Sequence, residues 1–330
     1  FTLIQPKAAK AAKTAVAKTS LWNLEAIGAY EARKISTGKD VSVAVIDSGV
    51  DYKHPELASR FDAKKGYDFV ENNELPIDKN GHGTHVAGIV ASSGYGISIA
   101  SQLYSLRMLD QTGSGNEADA IAAIEWCLKN KVDIANMSFG GPVASQALED
   151  ICLYAWEHGL LLVSAAGNNG YGPNYPAAFG EPVIAVAAVD EELEHPDFSS
   201  VYETNDISAP GVNIASTYLD GGYATLTGTS MAAPHVSGSL ALALNEAKKR
   251  NLEGELERLM EENSEQLGPR DVFGAGLVRA DELLRSIVAV NRLAVTKATI
   301  SENLKKSYQY FEKSVQLAAQ TVVTDFVKST

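Results

Sequence analysis

The pattern that most restricts the fold of this chain is a succession of short, nearly continuous apolar runs separated by helical patterns. Residues 41–46 are a β-branched run ending at Asp47, Ser48 and Gly49, which reads as a strand followed by a turn. A helical pattern opens at Gly83 and runs to about Ser92. Beyond it, strands are expected at 103–109, 132–138, 160–165 and 183–189, with helices at 117–129 and 145–158. A last long helix is expected from Met231 to about Lys248. Strands without a polar face must be covered on both sides. The pattern therefore predicts an α/β domain of three layers, a mostly parallel sheet with helices on both faces. Such sheets bind ligands outside the carboxyl ends of their strands, so chemistry is expected in the residues that follow each strand.

Reading those positions collects a coherent set. Asp47 ends the first strand, Ser138 closes another in the stretch SFGGP, and Asn168 follows a third in AAGNNG. His82 opens a helix, and Ser230 does the same just after Gly228 and Thr229. Each has a structural reading on its own: Asp47 as a turn former, His82 near a cap, Asn168 as a loop residue and Ser230 as a helix cap. Together on one rim they can do more. A serine hydroxyl is almost wholly protonated at neutral pH and attacks a carbonyl only when a base takes its proton. A histidine can supply that base, a carboxylate can orient it, and an amide can receive the oxyanion.

The three blocks VAVIDSGVD, NGHGTHVAG and GTSMAAPHVSG carry a resemblance. In them, and over about residues 21–284, the chain resembles the subtilisin-like serine proteases, the subtilases, whose catalytic residues follow the order Asp, His, Ser. The resemblance implies a serine endopeptidase with Ser230 as nucleophile, His82 as base and Asp47 as its orienting partner. Asn168 would share the oxyanion hole with the Ser230 N–H. It also implies that extended substrate pairs with Gly113, Ser114 and Gly115 on one edge and Ser138, Phe139 and Gly140 on the other. Leu109, Ala120 and Phe139 would line apolar subsites. Gly140, Ala166 and the neighbours of Asn168 would wall the main pocket. Small residues there predict broad specificity with room for a large apolar P1 side chain, the one on the acyl side of the cleaved bond. The loop from Asn169 to Tyr175 is shorter than in secreted bacterial subtilisins, and Tyr175-Pro176 resembles a cis-proline turn of the family where trans is the default. Two other readings stay open: a catalytically silent scaffold, and an esterase or transacylase using the same residues.

No cofactor is expected for catalysis. Secreted bacterial subtilisins hold a calcium ion in a loop interrupting the helix of the catalytic histidine. The matching residues here, 92–100, are few and include no Asp, Glu or Asn, with Glu56 the only acid left at a ligand position of the family. The strong calcium site is therefore expected to be missing. Glu203 and Asp206 remain candidates for a weaker cation site, with two exposed, merely solvated carboxylates as the alternative. His85 stands three residues after His82, but no further ligand follows in zinc-binding spacing. His85 and His235 are expected to be packed and hydrogen-bonded.

A net charge of −13 argues against a nucleic-acid partner, and no apolar run is long enough to span a bilayer. Cys127 and Cys152 lie in helical patterns and read as small apolar residues, with a bond between them left open. The chain divides into an Ala/Lys-rich arm (1–20), a helix or, as the simpler reading, a flexible lead-in, a catalytic domain (21–290) and an extension (291–330). In the extension Leu304, Tyr308, Phe311, Val315, Ala318, Val322 and Phe326 form an apolar stripe at helical spacing. That stripe would dock on the catalytic domain, or bind a partner or a second copy. Polypeptide substrates and a propeptide inhibitor are the partners the resemblance implies. A start at Phe1 instead of Met fits a removed leader, so secretion is expected, with an intracellular location left open.

Overall fold

A computed structural model describes residues 2–3 and 21–290. The chain falls into two units, Phe1–Ile287 and Val288–Thr330. The expected apolar stripe and residues 4–20 of the arm lie outside the described residues. The strands are β1 (Thr2–Leu3), β2 (Ser42–Asp47), β3 (Gly66–Asp68), β4 (Gln102–Arg107), β5 (Ile134–Met137) and β6 (Phe139–Gly140). They continue with β7 (Leu161–Ala165), β8 (Ile184–Val189), β9 (Asn205–Pro210), β10 (Ile214–Thr217) and β11 (Tyr223–Leu226). The helices used below are α1 (Trp22–Ala26), α2 (Ala29–Ala32), α3 (His82–Ala91), α4 (Glu117–Lys129), α5 (Gln146–Glu157) and α6 (Thr229–Lys248).

Seven strands form one parallel sheet in the order β3-β4-β2-β5-β7-β8-β9. β2 lies between β4 and β5, so the chain crosses over β2 in passing from one to the other. That makes the end of β2 a switch point of the topology, the place where such sheets open a crevice. The register sets the level of the rim. Ile46 pairs with both Leu106 and Met137, and Met137 pairs with Ser164. Asp47, Ser138 and the residues after Ala165 therefore leave the sheet side by side.

The two faces are covered by different helices. Ala44, Ile46, Ala135 and Met137 pack with Ala120, Ile124 and Cys127 of α4 and with Leu148 and Cys152 of α5 in one buried cluster. On the other face Ser237 of α6 donates to Asn136 Oδ1 of β5 at 2.9 Å. α6 is a buried helix, since all its twenty residues except Asn245 and Lys248 are buried. A helix apolar nearly all round must run through a core.

α6 begins at Thr229, two residues before the expected Met231. Pro234 then stands sixth in the helix, beyond the first turn where a missing N–H costs nothing. The carbonyl it deprives of a donor, four residues back, belongs to Ser230. That oxygen instead accepts the Ser138 hydroxyl at 3.0 Å. A helix defect is thus repaired by a residue at the end of the neighbouring strand β5.

Candidate active site

Asp47 and His82 are brought together by the end of β2 and the start of α3, and both are buried. His82 Nδ1 lies 2.9 Å from each Asp47 carboxylate oxygen. The Ser48 N–H donates to Asp47 Oδ1 at 2.7 Å. An ionised carboxylate only accepts, so the neutral imidazole carries its proton on Nδ1 and keeps Nε2 as the basic nitrogen. Nε2 is buried and has no hydrogen-bond partner among the described residues. Ser230, second in α6, is fully buried, and its hydroxyl donates to the Ser138 carbonyl at 3.1 Å. Transfer of that proton to His82 needs the hydroxyl to turn away from Ser138. Catalytic hydrogen bonds that form only with substrate in place are common.

Asn168 follows β7 on the same rim. Its Oδ1 accepts from both the N–H and the hydroxyl of Thr229, each at 2.9 Å. Those two bonds fix the rotation of the carboxamide, because only oxygen can accept an N–H. Nδ2 is thereby turned toward Gly228, where an ideal Cβ would stand 2.9 Å from it. Any side chain at 228 would press on the amide, which is a physical reason for glycine there. The Ser230 N–H belongs to the first turn of α6, where N–H groups find no acceptor within the helix.

Asp78 is a residue that sequence reasoning passed over. It is buried, and its Oδ1 accepts from the Ser48 hydroxyl, the Asn80 N–H and the Gly81 N–H, each at 2.9 Å. Its Oδ2 accepts the Thr84 N–H at 2.9 Å and the Thr84 hydroxyl at 2.6 Å. Burial pushes its pKa up and the N–H donors pull it back. An Asp two residues before an Asn-Gly pair reads as an ordinary turn former, so nothing local marked it.

The expected substrate edges differ in kind. Phe139 and Gly140 form β6, whose partner is the chain's own β1, antiparallel, with Thr2 opposite Gly140 and Leu3 opposite Phe139. These two residues of the arm are therefore paired strand and not a flexible lead-in. On the other side Ser114 has its N–H on Asp110 Oδ1 at 3.1 Å and its carbonyl on the Asp110 N–H at 2.8 Å. Leu109, Ala120 and Phe139 meet in one buried cluster. Ala166, just after β7, is buried, and the Asn174 side chain stands against Gly140. Tyr175-Pro176 is cis.

A profile of the subtilase family matches residues 38–276. The chain belongs to the subtilase family. It is 42% identical over 289 residues to the Minor extracellular protease Epr of Bacillus subtilis (strain 168), covering 84% of this chain and 44% of that one. It is 40% identical over 253 residues to Subtilisin of Bacillus pumilus, covering 73% of this chain and 90% of that one. The Thermostable alkaline protease of Halalkalibacterium halodurans is 37% identical over 278 residues, 82% of this chain and 75% of that one. The chain thus spans less than half the length of Epr and most of the length of the other two.

The cation positions implied for a subtilase are filled differently here. Glu56 Oε1 accepts the Tyr223 hydroxyl at 2.9 Å and Oε2 accepts the Gly94 N–H at 2.8 Å. The carbonyls of Gly96 and Ile97 accept from the Arg33 guanidinium, the latter at 3.1 Å, and Arg60 donates to the Ile99 carbonyl. Guanidinium N–H groups already occupy these carbonyl oxygens, and Glu56 is taken up by the Tyr223 hydroxyl and the Gly94 N–H, so the donor set does not fit a calcium ion. Among the described residues no cluster of three or more His, Cys, Asp or Glu could hold a metal. Glu203 is exposed, whereas Asp206 is half-buried and accepts the Ala185 N–H at 2.8 Å, which corrects the expectation of two exposed carboxylates. Burial raises Asp206 to about 7.

His85 and His235 in this subtilase are tied into the core. His85 Nε2 lies 3.0 Å from the Ile214 carbonyl and 3.1 Å from the Ala224 carbonyl, so it donates to both and holds the β10–β11 hairpin to α3. Cys127 and Cys152 are buried free thiols, and burial pushes Cys152 up to about 12.

Proposed function

We propose that this chain is a serine endopeptidase that cleaves peptide bonds through an acyl-enzyme. The observation that carries the reading is the buried Asp47–His82 pair, with both carboxylate oxygens 2.9 Å from Nδ1 and the basic Nε2 without a partner among the described residues. In the reaction the Ser230 oxygen attacks the substrate carbonyl as His82 Nε2 takes the hydroxyl proton. Asp47 keeps the imidazole in the useful tautomer and stabilises the imidazolium. Charge develops on the former carbonyl oxygen, which the Ser230 N–H and Asn168 Nδ2 receive. Removing an oxyanion-hole asparagine from a subtilisin lowers turnover by ~10²–10³. The tetrahedral adduct collapses as the His82 proton passes to the leaving amine. Water then attacks the acyl carbon as its proton passes to His82. Collapse of the second adduct breaks the ester bond while His82 returns the proton to the Ser230 oxygen, releasing the acid.

Substrate backbone would pair with β6, reading main chain more than side chain, which supports broad specificity. β1 stands on that edge, so residues of the arm compete with substrate for it, as a propeptide inhibitor would. No cofactor takes part, and Arg33 replaces a strong calcium ion as the positive charge in the 92–100 loop. Glu203 alone leaves a second cation only weak support. Secretion is the compartment that the name of the Epr relative supports. A silent scaffold would have no use for the ordered Asp47, His82, Ser230 and Asn168 together.

A fluorophosphonate probe tests the reading. The protein, freed of any inhibitory segment, should be labelled at Ser230, and Ser230→Ala should take no label. Failure to label the unmodified serine sinks the hydrolase reading. Faster turnover of esters with no measurable peptide cleavage would favour the esterase instead.

A further inference from the structure

His82 opens α3, and the first turn of a helix leaves N–H groups that no carbonyl of the helix can reach. Side chains take three of them here. The His82 N–H donates to Asn80 Oδ1 at 3.2 Å, the Gly83 N–H to Ser48 Oγ at 3.0 Å and the Thr84 N–H to Asp78 Oδ2 at 2.9 Å. The fourth, of His85, goes to the Gly81 carbonyl at 3.1 Å. With those donors taken, the Asn80 carbonyl stands outside the helix ladder. It accepts instead the hydroxyl of Tyr218 at 3.1 Å, a residue of the β10–β11 hairpin.

Tyr218 also meets the residue between Asn80 and His82. Gly81 has a φ of 105°, and a glycine is where a chain swings most freely. A Cβ on Gly81 would lie 2.2 Å from Tyr218 Cζ, so the tyrosine ring covers the glycine and takes the space into which it could move. Burial, and after it the charge of Asp78, raises the Tyr218 pKa, so the phenol stays a donor. The tyrosine is itself held, its N–H donating to the Gly222 carbonyl at 2.7 Å. The strand before it is tied to α3, since the Ser216 hydroxyl donates to the His85 carbonyl and the Thr217 hydroxyl to the Thr84 carbonyl, each at 2.8 Å. β11 returns from this hairpin and ends at Leu226, in the segment that runs on to Ser230. One hairpin thus grips the residue before His82 and leads into Ser230.

We propose that Tyr218 is a positioning residue for the catalytic base. The inference rests on the serine endopeptidase reading above. The hydroxyl and the ring together lock the Asn80–Gly81 peptide, and that peptide sets where the His82 side chain leaves the backbone. Asp47 orients the imidazole through Nδ1, but a bond at the far end of a side chain does not fix its root. Without the hydroxyl the Asn80 carbonyl loses its donor. Without the ring Gly81 regains its freedom, and a base displaced by about 1 Å can lose about a hundredfold in rate.

The test compares Tyr218→Phe, which removes only the hydroxyl, with Tyr218→Leu, which also removes the ring. Turnover of a small peptide and the rate of fluorophosphonate labelling are read for both, well below the melting temperature. Tyr218→Phe should lower kcat by about fivefold, the effect of one hydrogen bond, and Tyr218→Leu by about fiftyfold. KM should stay within about twofold, and labelling should slow by the same factors as kcat. Each change is then repeated in His82→Ala and its residual hydrolysis measured. There it should cost nothing further, because a residue that acts through the imidazole has no effect without it. A merely structural tyrosine would cost as much in that background. If Tyr218→Leu does not fold, Tyr218→Phe, which keeps the ring, carries both measurements. Unchanged kcat, a loss confined to KM, or an equal loss with and without His82 would overturn the proposal, while labelling of the unmodified protein leaves the endopeptidase reading standing. No labelling and no cleavage would overturn that reading, and this inference with it.

Discussion

The Ser48 hydroxyl donates to Asp78 Oδ1 at 2.9 Å, and this bond joins the strand end that carries Asp47 to the loop that positions His82. Ser48 Oγ also accepts the Gly83 N–H of α3 at 3.0 Å, so Asp47 and His82 are braced against each other from behind. Replacing Asp78 by Asn keeps the volume but turns an NH₂ group toward donors. Asp78→Asn should lower kcat by about ten- to a hundredfold with KM little changed, because misplaced catalytic groups lose turnover more than binding. Steady-state kinetics check this, and the rate of fluorophosphonate labelling should fall by the same factor. An unchanged kcat would remove Asp78 from any positioning role.

The two histidines of α3 should separate by what they lose. His82→Ala should lower peptidase turnover by several orders of magnitude, and adding Ser230→Ala should cost little more, since such residues act as a unit. His85→Ala releases the Ile214 and Ala224 carbonyls and should cost stability, about 2–4 kcal/mol, with modest loss of turnover. Equal kinetic losses at unchanged stability would reverse the assignment.

Acid should destabilise this protein through histidines held neutral. His235 Nδ1 donates to the Met231 carbonyl at 2.8 Å, and Nε2 accepts from Asn23 Nδ2 at 2.8 Å. Burial lowers its pKa to about 4, and that of His85 to about 3. An unfolded histidine titrates near 6.5. Between pH 6.5 and about 4 the unfolded chain therefore binds more protons than the folded one. The stability is fully present above pH 6.5 and is lost as pH falls through this window, at up to about 1.4 kcal/mol per pH unit for each such group. Melting temperature against pH should be shallower in His235→Gln than in the unmodified protein, even if the variant is less stable at pH 8. Parallel curves would remove His235 as the source.

Chelation and the Arg33 variant should behave in opposite ways. EDTA should leave the melting temperature nearly unchanged, whereas Arg33→Ala, which frees the Gly96 and Ile97 carbonyls, should lower it by several degrees. A large fall with EDTA, restored by stoichiometric calcium, would show that a strong calcium site exists after all.

Removal of residues 1–20 should raise kcat/KM on peptide substrates, since β1 occupies the edge offered by Phe139 and Gly140. Identical kinetics with and without the arm would mean that this pairing does not compete with substrate.

Local sequence determined a good part of this protein. Continuous apolar runs dictate buried parallel strands, and the residues ending them put Asp47, Ser138 and Asn168 on one rim, because a strand's end is set by its own pattern. The starts of α3 and α6 were legible within two residues for the same reason. What the tertiary structure decided are relations between distant segments. Asp78 matters because Ser48, thirty residues earlier, points its hydroxyl at it. Arg33 donates to carbonyls more than sixty residues away. Pro234 is tolerated in α6 because Ser138 satisfies the carbonyl it strands. Asn174 lies against Gly140 only because a loop returns to pair with Gly141. Hydrophobic periodicity reports which face of an element is buried. It carries no information about which polar group will stand opposite, and that is settled only when the chain closes and every buried donor and acceptor has to find a partner.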